Sequence, residues 1–272
     1  MTIKISRRKV RAWQFITGDG TLLFPYNGEE NVKVSVGQTF TATGSIKMDH
    51  NGLHASPNAL DAYGIFGRGG SFGWKPTNDV TICRVELSGE ILQSEKQWYH
   101  DCQKYCASKC KVLWMANATS TLHKFALYCA KDACKLAGID GTSWIDIETI
   151  MRHKELWIEH LEGKLVDERF RGNEGLAFLQ GVLHAKRFIS RDMYSINAPV
   201  SNAVNTVIDA CSWKLRLAVH DTVEQALAVV QSLSPKATTA SWDQIRREKR
   251  EQLEKKLDRM MLALGKATKK GK

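Results

Sequence analysis

Gly52-Leu-His-Ala-Ser-Pro-Asn-Ala-Leu-Asp-Ala-Tyr-Gly-Ile-Phe66 carries the clearest local signals in the chain. Leu53 to Ala55 reads as the end of a short strand. Ser56 is placed to cap a helix, because its hydroxyl accepts from an early orphan N–H, and Pro57 suits the first helical position, where no N–H is needed. Ala59, Leu60 and Tyr63 then share one helical face, and Gly64 offers a left-handed exit. Val80 to Gly89 alternates as a half-buried strand does. Strand, helix and strand together predict an α+β domain.

Outward from this stretch the same short units continue. Val10 to Ile16 is a strand candidate followed by the turn signal Gly18-Asp19-Gly20, and Leu22 to Tyr26 is a second short apolar segment. Val32 to Thr43 alternates in part, with a turn at Val36-Gly37 before Gln38 to Thr41. Gly67 to Gly73 is glycine-rich and reads as an exposed loop. It lacks the Gly-Lys-Ser/Thr ending of a phosphate cradle.

From Asn117 the pattern becomes helical. Thr119 to Ala137 places Leu122, Phe125, Ala126, Cys129 and Ala133 on one face, with Gly138 as the stop. Further helices are predicted after Ser143 (Ile147 to Leu161), over 173–190, from Pro199, and over Thr222 to Leu233. A polar linker from Ser234 to Thr239 precedes a last helix, for which Ser241-Trp-Asp-Gln244 reads as a capping box. Its apolar stripe is Ile245, Leu253, Leu257, Met260, Met261 and Leu264, and the tail from Lys266 is expected to be disordered when free. The predicted division is an α+β domain over 1–116, an all-α domain over 117–234, and a linker, basic amphipathic helix and tail over 235–272.

The 272 residues carry a net charge of +10, unevenly spread. Residues 1–12 hold five cations and no acid; residues 244–272 hold eleven cations and four acids; the body between is slightly negative. Cationic ends suit phosphate backbones, where neutralisation releases counterions. The candidate contacts are Arg7, Arg8, Lys9 and Arg11 at one end, and Arg246, Arg247, Lys249, Arg250, Lys255, Lys256, Arg259, Lys266, Lys269 and Lys270 at the other. The predicted partner is nucleic acid or an acidic host protein, and the last helix also offers an oligomer contact. No apolar run reaches the roughly 20 residues of a membrane span, and Met1 to Lys9 has no secretion-signal core. The expectation is a cytoplasmic protein with reduced cysteines.

His100, Cys102, Cys106 and Cys110 come near a metal pattern. In a helix these cysteines would form a stripe, but no second ligand pair follows, so packing thiols are the stronger reading and no resident metal is predicted. No Ser elbow, His-Glu-x-x-His or Walker loop is present. Trp98, Trp114, Trp144, Trp157, Trp213 and Trp242 are spread as core anchors rather than clustered as base-stacking rings.

Val36-Gly-Gln-Thr-Phe40, Gly52-Leu-His-Ala-Ser56, Asp61-Ala-Tyr63 and Val85-Glu-Leu-Ser-Gly-Glu90 resemble the motifs of an uncharacterised domain family borne by bacteriophages and their hosts, over about residues 8 to 115. That resemblance implies a phage- or prophage-encoded protein, and the basic ends give the leading reading, a non-enzymatic accessory or virion-associated binder in the host cytoplasm or the virion. The same order of elements is more distantly similar to the core of ADP-ribosyltransferases. That likeness implies NAD as cofactor, with His54 and Ser56 in the place of the family's Ser-Thr-Ser strand end and Arg11 near its first-strand position; no Glu-x-Glu pair is found. A third reading is a structural oligomer-forming protein.

Overall fold

A computed structural model describes residues 3–6, 8–22, 32–68, 79–94, 103–139, 152, 154–156, 158–159, 198–210, 217–234 and 238–270. The predicted strand past Leu22, the glycine-rich loop beyond Arg68, the helix over 173–190 and most of that after Ser143 lie outside them, as do Arg7, His100 and Cys102. The architecture is α+β. The chain forms two compact units, one of Met1–Thr119 with Glu254–Lys272 and one of Ser120–Leu253. The last helix, read as a separate piece, is divided between the units.

In the first unit two long strands, β7 (Val80–Ser94) and β8 (Tyr105–Asn117), form the centre of an antiparallel sheet. β1 (Ile3–Ser6) and β2 (Val10–Thr17) lie end to end along the free edge of β7. β5 (Thr39–Thr41) and β6 (Leu53–Ala55) do the same along β8. β3 (Thr21–Leu22) and β4 (Val32–Lys33) make a small separate ladder. One sheet face is apolar: Ala12, Ile16, Cys83, Val85, Leu87, Cys110 and Val112 pack there with Leu53 and Ala55. Because successive strand residues alternate between faces, the intervening positions build the other face, where the functional candidates lie.

α1 (Ala59–Arg68) starts two residues later than predicted and runs through Gly64 instead of ending there. Ser56 is held in strand pairing: its N–H donates to Trp13 O at 2.9 Å and its carbonyl accepts from Trp13 N–H at 2.7 Å. Asn58 is the cap, accepting the Asp61 N–H at 2.8 Å while its amide donates to the Asp61 carboxylate at 2.8 Å, a reciprocal box of the kind expected at a helix start.

The segment with Cys106 and Cys110 is strand β8, not helix. A spacing of four fits one face of either element, and pairing with β7 decides it. Both thiols are buried, and desolvation raises Cys106 to about 11 and Cys110 to about 12. Among the described residues no His/Cys/Asp/Glu group is arranged to hold a metal.

In the second unit α2 (Thr119–Leu136) buries the predicted face of Leu122, Phe125, Ala126, Cys129 and Ala133. It stops at Gly138, whose φ of +70° lets Ile139 N–H reach back to Cys134 O at 3.0 Å. α3 (Ala198–Ala210) and α4 (Thr222–Ser232) appear where Pro199 and Thr222 place them, with a π-helical turn at Leu217–Asp221 before α4. No helix among the described residues is long and apolar enough to cross a membrane.

The last helix, α5 (Thr239–Lys270), departs from prediction at both ends. Its cap is Thr238, whose hydroxyl accepts the Ser241 N–H at 3.3 Å and bonds the Ser241 hydroxyl at 2.8 Å. Gln244 turns instead to Glu248 at 3.0 Å. The segment from Lys266 continues the helix. Within the first unit, Gly265 lies so close to the Trp114 indole that a β-carbon would sit 2.5 Å from it, and Leu257 and Met261 are fully buried. Tertiary contact of this kind orders a helix end that its own composition would leave frayed.

Candidate nucleic-acid interface

The second sheet face is built in rows, since residues opposite one another in an antiparallel pair share a face. One row runs Ser56–Trp13–Arg84–Trp114. The next runs Arg11–Glu86–Lys111, and beyond it Ser88 lies opposite Lys109. A register shift between Arg84 and Val85 skips Leu113, which is why Trp114 and Lys111, three residues apart, end on one face.

In the first row Ser56, Trp13 and Trp114 are buried and Arg84 is half-buried. Trp13 and Trp114 meet edge to face at 5.7 Å, and Arg84 lies 4.2 Å over the Trp13 ring, a cation–π contact. Asp258 of α5 accepts the Ala59 N–H at 2.7 Å and so caps α1 from a distant part of the chain. The second row is open: Arg11, Lys109 and Lys111 are exposed. Lys9 pairs with Glu86 at 2.9 Å. Hydrogen bonding to Lys9, and then the charges of Lys9, Arg11 and Lys111, hold the Glu86 carboxyl below its ordinary range.

Asp258 titrates the other way. Desolvation raises it, with Asp61 adding to the rise, while the Ala59 N–H and Arg84 pull it back. The folded form therefore holds this proton more tightly than the unfolded chain does. The group's contribution to stability is fully present below the unfolded value, about 4, and is lost as pH rises through the folded value. Asp258→Asn keeps an oxygen for the Ala59 N–H. It is expected to gain stability relative to wild type as pH rises from about 4 to 7, read from denaturant midpoints across that range. A deficit that grows with pH contradicts this.

The two ends of α5 use their cations differently. In the second unit Arg246 donates to Glu224 at 2.5 Å, Arg250 lies 3.9 Å from the same carboxylate, and Lys249 pairs with Asp132. These three are turned to the chain's own acids. From residue 255 onward Asp258 is the single acid, and it is turned to α1. Arg259, Lys266 and Lys269 are exposed, with no carboxylate within 4.0 Å among the described residues. Arg8, Arg247 and Lys255 are exposed as well, and Lys256 is half-buried; Lys270 closes the helix. Leu262 lies outward among these cations.

No family model, curated protein or solved structure matches the chain. The chemistry of the surface is what remains to be read.

The residues of the NAD-using alternative lie in three different settings. Ser56 is wholly enclosed, at 0% exposure. Nε2 of His54 accepts the Asp49 N–H at 3.1 Å, and desolvation lowers the pKa of that ring. Arg11 points to solvent. Burial likewise holds His123 well below the usual histidine range, with Lys154 acting in the same direction.

Arg84 is the residue that the sequence reading missed. Its neighbours Cys83 and Val85 face the apolar core, and a lone cation in an alternating strand reads as solvated. Its significance appears only once Trp13 and Trp114 are known to flank it.

Proposed function

We propose that this chain is a non-enzymatic, phage-borne protein that binds the phosphate backbone of nucleic acid on the second sheet face of its first unit. One observation carries the reading: the cation-bearing second half of α5 lies over the same sheet face whose open rows hold Arg11, Lys109 and Lys111. Arg11, Lys109 and Lys111 stand in rows beside the Trp13–Arg84–Trp114 row. That row lies under the half of α5 that bears Arg259, Lys266 and Lys269. A concentrated field of one sign attracts a polyanion and speeds its encounter.

Among the described residues of this unit no exposed ring lies among these cations: Trp13 and Trp114 are buried. Contacts of this kind give affinity and salt dependence without reading bases. The host cytoplasm or the virion is the setting that such a partner implies.

The affinity of the full chain for a fluorescein-labelled 20-base-pair DNA at two salt concentrations tests the reading. With about five phosphate contacts, log K is expected to fall with log salt at a slope of about −4.5. Absence of binding, or affinity indifferent to salt, contradicts it. Tighter binding to an acidic protein than to DNA would reassign the partner.

A further inference from the structure

We infer that Arg84 and Arg11 form a seat for one phosphate group, with the Trp13 indole as its floor. The inference rests on the nucleic-acid reading and names the point on that surface where a phosphate is gripped rather than merely attracted.

Arg11 lies opposite Glu86 and Arg84 opposite Trp13, so the two arginines are diagonal neighbours on one sheet face, a relation in which residues stand about 7–8 Å apart and their β-carbons somewhat closer. Each side chain is long enough to reach a shared group between them. Like charges in that relation oppose one another, and the charge of Arg11 indeed acts to lower the pKa of Arg84. Among the described residues no carboxylate compensates them fully. Glu86, the carboxylate beside them, is engaged by Lys9 at 2.9 Å. Asp258 favours the charged form of Arg84 but stays beyond ion-pair distance and accepts the Ala59 N–H instead. Asp61, the remaining acid nearby, accepts from Asn58 and from the Gln103 N–H.

The guanidinium of Arg84 accordingly donates no hydrogen bond to any described residue, and its Nη1 is enclosed without a partner. A buried donor left unmatched is uncommon in a folded protein and calls for an acceptor. Ser56 Oγ, in the same row on the other side of Trp13, is a second enclosed polar atom without a partner. The cation–π contact with Trp13, 4.2 Å from the ring centroid, restrains the position of the Arg84 fork. A planar fork held on an aromatic floor, beside a second arginine, matches an oxyanion that accepts two parallel N–H bonds. A phosphate meets that demand, whether as a backbone diester or as a free or terminal monoester. Lysine cannot reproduce the fork, so charge alone does not substitute for it.

Two measurements on the full chain decide the matter: binding to the 20-base-pair DNA by fluorescence anisotropy, and the shift in melting temperature caused by inorganic phosphate. They are made on wild type, Arg84→Lys and Arg259→Gln. Arg84→Lys is expected to weaken DNA binding by about tenfold and to abolish a phosphate-induced rise in melting temperature that wild type and Arg259→Gln both show. If Arg84→Lys binds DNA within twofold of wild type while Arg259→Gln is weakened, the seat is refuted and the general polyanion reading survives. If DNA does not bind wild type but phosphate still stabilises it and not Arg84→Lys, the seat stands and the nucleic-acid reading falls. If neither ligand acts on wild type, both fall. Should Arg84→Lys not fold, Arg11→Gln, exposed and outside the core, takes its place with the same expected outcomes.

Discussion

Replacing Arg259, Lys266 and Lys269 together by glutamate is expected to reduce affinity for duplex DNA by a factor on the order of 10²–10³ at 0.1 M salt. The estimate follows from counterion release: each phosphate contact contributes about 0.9 to log K for every decade of salt below 1 M. Three lost contacts remove nearly three decades, and reversed charges add repulsion. The three side chains are exposed at the surface of α5, so the helix and its packing are expected to persist. The comparison that gives the result meaning is the triple change Arg246→Gln, Lys249→Gln and Arg250→Gln at the other end. Those cations are directed to Glu224 and Asp132, and their loss is expected to change DNA affinity only a few-fold. Sequence alone presents both sets as one cationic face. Equal losses from the two variants contradict the division drawn here.

The second large effect is on stability. Leu257→Ala removes a side chain that is fully buried on the inner face of α5, and such truncations cost about 2–5 kcal/mol. Leu257 immediately precedes Asp258, whose carboxylate accepts the Ala59 N–H at the start of α1, so a cavity there loosens that hydrogen bond as well. The check is the denaturant midpoint together with DNA affinity. Both are expected to fall in Leu257→Ala. In the triple glutamate variant affinity is expected to fall while the midpoint changes little, because exposed charges contribute little to stability. A Leu257→Ala chain as stable as wild type contradicts the seating of α5 on the sheet.

Much of this fold was legible beforehand, for local reasons. Val10 to Ile16 reads as a strand and Val80 to Gly89 alternates with the strand period, and they form β2 and most of β7. Thr119 to Ala137 has a helical stripe closed by Gly138, and α2 follows it to Leu136. The misses are places where a distant partner overrules a local signal. Ser56 has the chemistry of a cap, yet Trp13 holds it in a strand bridge. Lys266 to Lys270 has the composition of a tail, yet the approach of Gly265 to Trp114 keeps it helical. Cys106 and Cys110 fit a helix or a strand equally by spacing, and only pairing with β7 separates the two.

The candidate site was half legible for the same reason. Charge counts found Arg11 and the cations of the last helix, because counting needs no fold. They could not find that Glu224 and Asp132 engage the first half of that helix, since these acids are 22 and 117 residues away from their partners Arg246 and Lys249. Nor could they find Arg84, whose place between two tryptophans depends on the register of three strands.

The central claim is that one face of the first unit, and not the charged ends at large, holds the polyanion. Lysine acetylation of the full chain, mapped by mass spectrometry with and without saturating duplex DNA, tests it most directly. Lys109, Lys111, Lys266 and Lys269 are expected to be protected together, while Lys33 and Lys131, each exposed and outside that face, are modified at an unchanged rate. Protection spread evenly over all six lysines, or absent from the sheet pair while present on the helix, contradicts the account.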